Sequence, residues 1–189
     1  MFTLFKTIFG QQFPGKEADF SLITEQFQFK KVSRKTMILK EGSVCKEFFF
    51  INSGMIRTFI NHDGEDVTTW VALPGTIETS AQSFLKQTPS SLNLQAITDC
   101  ELLVMSRESY YHLLQTNPVF NRLAIQMIEN FYLRIEDRFH SYLFLSAEER
   151  FRKMKTQYPF HFDKVPLKYL ASILRIKPET LSRLRKKIK

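Results

Sequence analysis

The sequence predicts an α+β protein in three parts: an N-terminal β jelly-roll, a long helix and a C-terminal all-α module. Three observations support this prediction. Short apolar runs separated by glycine-containing turns fill about 32–107, apolar residues recur every three or four positions over 117–145, and two short helical patterns stand close together near the C-terminus. We therefore expect domain boundaries that give 1–116, 117–145 and 146–189.

The composition is typical of a soluble globular protein, with 43% hydrophobic and 24% charged residues. The apolar N-terminus is broken by Lys6 and is too short for a signal segment, and no later apolar run approaches the roughly 18 residues of a membrane span. Cys45 and Cys100 lie far apart, which argues against a disulfide framework, a structural zinc or a four-cysteine iron–sulfur cluster. We expect a cytoplasmic protein with no cofactor, no metal and no membrane partner.

The N-terminal part begins with a lead-in, residues 1 to about 30, which we expect to be mostly helical with interruptions at Gly10 and Pro14. From about Val32 the pattern changes to short apolar runs with turn residues between them. Gly42, Gly54 and an Asp-Gly pair mark turns of an antiparallel sandwich or barrel. The predicted strands are 37–39, 47–52, 55–60 and 67–73.

A short helix is predicted over 108–116, and Asn117-Pro118 then starts the long helix. We expect one apolar stripe of this helix to cover the β domain and another to meet the same helix of a second subunit. Packing against the core alone is the alternative. The apolar positions are Phe120, Ala124, Met127, Ile128, Phe131, Ile135, Phe139 and Tyr142.

The C-terminal part opens with a capping-box pattern, Ser146 with Glu149 three residues later, and predicts a helix to about Gln157. Pro166 and Pro178 mark the starts of two further short helices. Such a pair is typical of a helix-turn-helix, whose second helix enters the DNA major groove. A small amphipathic helix pair with a solvated basic face is the alternative. On the second helix Leu181, Leu184 and Ile188 form the apolar face, and Glu179, Ser182, Arg183 and Lys186 the opposite one.

The charge distribution separates this module from the rest of the chain. Residues 146–189 contain 13 Lys or Arg and 4 Asp or Glu, a net charge of +9, whereas the whole chain carries +8. The remainder is therefore nearly neutral, at −1. A concentrated positive charge attracts phosphates, although it would also serve a membrane surface or an acidic partner.

Residues 166–188 resemble the helix-turn-helix of the Crp/Fnr superfamily of transcription regulators, and the run 179–183 matches the start of that family's recognition helix. The resemblance implies base contacts from Glu179 and Arg183 and a backbone contact from Thr180. Arginine can donate two hydrogen bonds to a guanine edge, and glutamate can accept one from a cytosine amino group. The expected DNA-binding residues are Lys177, Glu179, Thr180, Ser182, Arg183, Arg185 and Lys186.

This chain departs from the family pattern at two positions of the turn. Arg175 stands where the family usually has glycine, so a positive φ there would be strained, or the turn has another shape. Lys177 replaces the usual serine N-cap and removes a capping oxygen. The printed sequence ends at Lys189, so we also expect no β-wing beyond the recognition helix.

Residues 40–57 resemble the opening strands of the cyclic-nucleotide-binding jelly roll, and 74–102 resemble its ligand cassette. In that family a glutamate holds the ribose hydroxyl and an arginine pairs with the cyclic phosphate. Glu78 can take the first role, but the arginine position falls at Ser90, and no Arg or Lys lies between Pro89 and Ser106. Losing that charge-assisted pair predicts a vestigial pocket or an effector other than cyclic AMP.

The cassette also supplies the effector-binding candidates, which are Glu78, Thr79, Ser80, Ser83, Ser90 and Ser91. The serines could bind a neutral or weakly anionic ligand, and the alternative is that they only cap and turn the chain. Lys86 could replace the missing arginine as a flexible point charge.

Together these features favour a homodimeric transcription regulator without catalytic activity, whose partners are double-stranded DNA, a second copy of the chain, a small-molecule effector and RNA polymerase. Two alternatives differ in class. A ligand-sensing or adaptor protein of the same fold would have lost specific DNA binding. A jelly-roll metalloenzyme would need clustered ligands, whereas the four histidines, His62, His112, His140 and His161, are scattered.

Overall fold

The computed structural model describes residues 1–188, and it has the predicted α+β architecture. An antiparallel β sandwich is preceded by short helices and followed by a long helix and four further helices. The helices are α1 (Thr3–Phe9), α2 (Glu17–Glu25), α3 (Ala81–Lys86), α4 (Arg107–Thr116), α5 (Pro118–Phe144), α6 (Ala147–Gln157), α7 (Pro159–Lys164), α8 (Leu167–Leu174) and α9 (Pro178–Lys187). The strands are β1 (Phe27–Val32), β2 (Met37–Leu39), β3 (Glu47–Ser53), β4 (Ile56–His62), β5 (Glu65–Ala72), β6 (Ile77–Glu78), β7 (Asn93–Ala96) and β8 (Cys100–Ser106).

The sandwich consists of two four-stranded sheets in the orders β1-β8-β3-β6 and β2-β7-β4-β5. All the strand pairs are antiparallel. Phe49 and Ile51 alternate with Phe48 and Phe50 along β3, so that both faces of the first sheet are buried. The second face packs against α1, α2 and α4, where aromatic side chains meet edge to face.

The predicted helical lead-in is wrong at its end, because the helical segment stops at Glu25 and the chain enters β1 at Phe27. The strand forms because all six of its residues pair with β8, from Phe27 opposite Met105 to Val32 opposite Cys100. Three of the six residues of β1, Phe27, Phe29 and Val32, are apolar, and its pairing partner lies more than 65 residues away. So short an apolar pattern does not distinguish a strand from the end of a helix.

Gly54 is the turn glycine that the packing requires most strictly. Its φ is +86°, and a Cβ at this position would lie 2.3 Å from the backbone oxygen of Asp99. Any side chain would therefore collide with the turn before β8. The resulting tight β3–β4 connection brings the two sheets together.

Helix α5 begins at Pro118 with the side chain of Asn117 as its N-cap, which accepts the N–H of Phe120. Its first turns bury Phe120 and Leu123, and the Phe120 ring meets the ring of Tyr110 of α4 edge to face. The chain then breaks at Leu145 and Ser146. The predicted capping box is present, because Ser146 Oγ accepts the N–H of Glu149 and the Glu149 carboxylate accepts the N–H of Ser146.

The C-terminal helices pack on β5, the edge strand of the second sheet. Ser172 Oγ of α8 accepts the N–H of Thr68 at 2.9 Å and lies 3.2 Å from its carbonyl oxygen. His161 Nε2 of α7 lies 2.9 Å from the carbonyl oxygen of Val71. These side chains satisfy backbone groups that an edge strand otherwise leaves open. None of the helices within 1–188 is both long and apolar enough to cross a membrane.

Candidate functional site

Helices α8 and α9 form the predicted helix-turn-helix. Leu170 and Leu174 of α8 pack against Leu181 and Leu184 of α9, and all four side chains are buried. This apolar contact fixes which side of α9 faces outward. The outward side exposes Glu179, Arg183 and Lys186, while Thr180 and Ser182 are half-buried beside them.

The turn between the two helices keeps the left-handed conformation without a glycine. Arg175 has φ 56° and ψ 46°. The N–H of Arg175 donates to Ser172 O, and that of Ile176 donates to Ala171 O, so α8 ends in a Schellman motif. The turn therefore has the shape that a glycine would give it, with the steric cost of a Cβ.

Replacing Arg175 with glycine should stabilise the protein. Removing the Cβ from a residue in the left-handed conformation relieves roughly 1–2 kcal/mol of steric strain. The greater conformational freedom of glycine in the unfolded chain offsets part of this stabilisation. We expect a net gain of about 1 kcal/mol in the free energy of unfolding, measured by urea titration. Arg175→Ala is the matched control, since it removes the charge but keeps the Cβ. Equal effects of the two substitutions would show that charge, not backbone strain, is responsible.

The remaining predicted DNA-binding residues lie around the start and one edge of α9. Lys177 is the N-cap residue and its side chain makes no capping hydrogen bond, and Pro178 follows at the first helical position. Arg183 donates to Thr180 Oγ1 at 3.3 Å. Arg185 instead donates to the carbonyl oxygen of Phe162 and stacks over its ring. Arg185 is thus the one member of the predicted set that is held against another helix.

The predicted effector serines bond mainly to one another and to the backbone. Ser90 Oγ lies 2.9 Å from Ser80 Oγ and accepts the N–H of Leu92 at 3.0 Å. Ser83 Oγ accepts the N–H of Cys45 and donates to Thr88 O. These three serines are buried, whereas Ser91 is exposed. Their hydroxyls therefore stabilise the cassette. Ser90, at the position where the family has its arginine, is hydrogen-bonded to Ser80.

A cavity lies on the other side of the cassette, between α1, β6, α3, α4 and α5. Its volume is about 500 Å³, and it is lined mainly by apolar and aromatic side chains. Of the predicted effector residues, Glu78 and Thr79 line it, and the four serines do not. The apolar walls include Phe9, Phe48, Ile77, Phe84, Tyr110 and Met127.

The match to known proteins agrees with this arrangement. Residues 29–117 match the family model of the cyclic nucleotide-binding domain. None of the curated proteins matches the sequence, so the similarity of the whole chain is one of structure.

Solved structures of Crp/Fnr-family regulators share the fold of the chain. FixK2 from Bradyrhizobium japonicum superposes with a TM-score of 0.69 at 18% identity, covering 86% of this chain and 84% of that one. CLP from Xanthomonas campestris, described as a c-di-GMP responsive global regulator, gives 0.67 at 17%, covering 91% of both chains. The Thermus thermophilus catabolite activator protein gives 0.60 at 21%, covering 93% of this chain and 84% of that one.

Within the residues that match this family model, Glu78 is a buried carboxyl group. Burial raises its pKa from 4.5 to about 7, against the opposing effects of Arg134, the Thr79 backbone, the Thr58 hydroxyl and Arg138. The Thr58 hydroxyl is itself buried and makes no hydrogen bond of normal geometry within 1–188, although it lies close enough to lower this pKa. Glu78 is therefore present in both protonation states near neutral pH.

Two arginines that are not among the predicted site residues, Arg134 and Arg138, act on this carboxyl group. The guanidinium of Arg134 lies 5.4 Å from the centre of the Trp70 ring and 5.5 Å from that of Phe131. It makes no ion pair or hydrogen bond with any of residues 1–188. Arg138, one turn later, also stacks on Trp70 and donates to Thr69 O. Two arginines four residues apart on the sandwich-facing side of a largely apolar helix were the available signal.

Proposed function

We propose that the protein is a transcription regulator, not an enzyme, and that it binds DNA sequence-specifically as a homodimer through α9. The observation that carries the proposal is the outward side of α9, where Glu179, Arg183 and Lys186 are exposed while Leu181 and Leu184 anchor the helix. This face belongs to a module with a net charge of +9. Base-reading side chains on an anchored helix with nearby positive charge are what major-groove recognition requires.

The exposed residues of α9 receive separate roles. Arg183 and Glu179 would contact bases, and Ser182 and Lys186 would line the groove. Thr180 and Lys177 would contact phosphates, which position the helix without reading sequence. We assign Arg185 to the packing of α9 on α7, because its guanidinium is bound to Phe162 O. RNA polymerase would be a further partner of the bound dimer.

The proposed dimer uses an apolar stripe on α5. Six side chains at alternating three- and four-residue spacing are exposed, by 37% to 63%. This is the heptad pattern of a two-stranded coiled coil, and it runs along a helix of 27 residues. The domains would then be 1–116 for sensing, 117–145 for dimerisation and 146–189 for DNA binding. The stripe residues are Ile125, Ile128, Tyr132, Ile135, Phe139 and Tyr142.

The effector of this regulator would not be cyclic AMP. The serine pair Ser80–Ser90 lies where a phosphate-binding arginine is expected, and it offers no positive charge. A buried phosphate without a guanidinium partner is poorly compensated.

Selection of bound duplexes from a randomised pool, by wild type and by Arg183→Ala, tests the function. Wild type should enrich a two-fold-symmetric site with half-sites about 34 Å apart. Arg183→Ala should lose about 1–3 kcal/mol of binding free energy on that site and relax the preference at one base pair. Lys186→Ala is the matched control, because the loss of a groove or phosphate cation should weaken all duplexes alike.

An equal loss on every sequence from Arg183→Ala would contradict base reading. Salt-sensitive binding without any enriched site would favour the second candidate function, a sensor or adaptor of this fold. The observation that favours this candidate is the attachment of α8 to β5 through Ser172 and Thr68, which fixes the helix pair on the sandwich.

A further inference from the structure

We propose that the cavity between α1, β6, α3, α4 and α5 is an effector site, and that it binds a molecule with an apolar body and a single carboxylate-like anionic head. As the site of an effector, the inference rests on the proposed function. As a binding site, it rests on the cavity alone. It is separate from the serine side of the cassette, whose buried hydroxyls are already bonded within the protein.

The size of the cavity and the polarity of its walls indicate how large and how apolar the body of the ligand should be. Small-molecule sites occupy roughly 300–1,000 Å³, and this cavity measures about 500 Å³. Phe48, Phe84, Tyr110 and Met127 present carbon surface to it. A sugar or a nucleotide would lose its hydration against these walls and would recover few of its hydrogen bonds. An aliphatic chain or an aromatic ring system would be favoured instead.

One end of the cavity determines the head group. Arg134 lines it and has no ion-pair partner within 1–188, and Glu78 lies beside it. A cationic head would face Arg134 and would be repelled. A carboxylate can accept two parallel hydrogen bonds from the planar guanidinium. The charges therefore favour an anion.

Glu78 makes the binding of an anion depend on pH. Two carboxylates that share one arginine disfavour each other's charge, so a bound carboxylate favours protonated Glu78, which can donate a hydrogen bond. The charged groups that face Glu78 are Arg134 and Arg138 of α5. Its other polar neighbours are the Thr58 hydroxyl of β4 and the N–H of Thr79, which follows β6. Burial, and then the charge of Arg134, lower the pKa of His161 on α7.

Decanoate is a suitable probe, because it stays ionised from pH 6 to pH 8, and decan-1-ol is its neutral counterpart. Binding to the full chain can be followed by calorimetry and by the fluorescence of Trp70, the one tryptophan of the sequence. Glu78 goes from mostly protonated to mostly ionised over this range. The affinity for decanoate should therefore fall about tenfold between pH 6 and pH 8. The affinity for decan-1-ol should not change.

Two variants and a control locate the effect. Arg134→Gln should weaken decanoate binding at least about tenfold, the loss expected for a hydrogen bond to a charged group, and should leave decan-1-ol binding unchanged. Glu78→Gln should remove the pH dependence while His161 is still present. Arg122→Gln, at an exposed arginine on the same helix, should bind both compounds like wild type.

Absence of saturable decanoate binding, equal responses to the acid and the alcohol, or a pH dependence that survives in Glu78→Gln would each overturn the proposal. If Arg134→Gln does not fold, the proposal is still tested by comparing the pH dependence of decanoate binding between wild type and Glu78→Gln. Arg183→Ala separates this inference from the proposed function, because it should bind decanoate normally while losing its DNA site. If the protein bound decanoate but selected no DNA site, the proposed ligand site would be supported and the proposed function as a transcription regulator would be contradicted.

Discussion

Glu78→Gln should stabilise the protein relative to wild type at pH 8 and have little effect at pH 5. Burial raises the pKa of Glu78 in the folded protein to about 7, from 4.5. The folded state therefore holds this proton at pH values where the unfolded chain has lost it. Wild type should thus lose stability as the pH rises from about 4.5 through 7, by on the order of 3 kcal/mol in total. Glutamine has no proton to lose and should not show this loss.

Urea titrations of both proteins at several pH values measure the effect. The informative quantity is the change with pH of the difference in unfolding free energy, because a constant offset only reports the packing of the amide. Glu136→Gln, at an exposed position of α5, should give a difference that does not vary with pH over this range. A flat difference for Glu78→Gln would mean that Arg134 and Arg138 keep the carboxylate ionised in the folded state.

The helix-turn-helix could be predicted from the sequence because short-range rules determine most of it. Pro178 at the first helical position, and leucines three apart at Leu181 and Leu184, specify both the start and the buried side of α9. The turn at Arg175 was the uncertain point. The apolar contact between α8 and α9 holds the backbone in the left-handed region even without glycine. Tertiary packing thus decided a conformation that the local sequence disfavours.

The parts that could not be predicted depend on contacts between distant segments. Strand β1 exists through its pairing with β8. The cavity is formed when Phe9, from the lead-in, meets Ile77 and Met127. A local sequence pattern does not predict that such distant segments line one cavity. Glu78 could be predicted only by its similarity to a ribose-binding glutamate, because its neighbours Arg134 and Arg138 are more than 50 residues away in the sequence.

Helix α5 connects the cavity with the helix-turn-helix through a short chain of contacts. Arg138, one turn beyond Arg134, donates to Thr69 O on β5 and to the hydroxyl of Tyr142. That hydroxyl donates in turn to Ile173 O at the end of α8. A ligand that moved Arg134 from the Trp70 ring would therefore act beside the strand on which α8 is packed. The proposed effector cavity and the end of α8, the helix before the proposed reading helix, therefore contact neighbouring turns of α5.

Ile135→Asp should convert the proposed dimer into a folded monomer that no longer binds its two-fold site tightly. Ile135 is 46% exposed and lies in the middle of the α5 stripe. A carboxylate there would be buried against its symmetry mate in a coiled coil, without a partner. Two linked DNA-binding modules gain roughly 10²–10⁴ in affinity over a single module. The affinity of the variant for the selected site should therefore fall at least about 100-fold.

Sedimentation measures the oligomeric state of this variant, and fluorescence anisotropy measures its affinity for the site. Leu133→Asp is the matched control, because Leu133 is also an exposed apolar residue of α5, at 58%, but lies outside the stripe. It should remain dimeric and bind DNA like wild type. A monomeric wild type, or equal dissociation by the two aspartates, would contradict a dimer built on this stripe. If Ile135→Asp remained dimeric and bound DNA normally, the subunits would have to meet through another surface. That surface, rather than α5, would then set the spacing of the two half-sites.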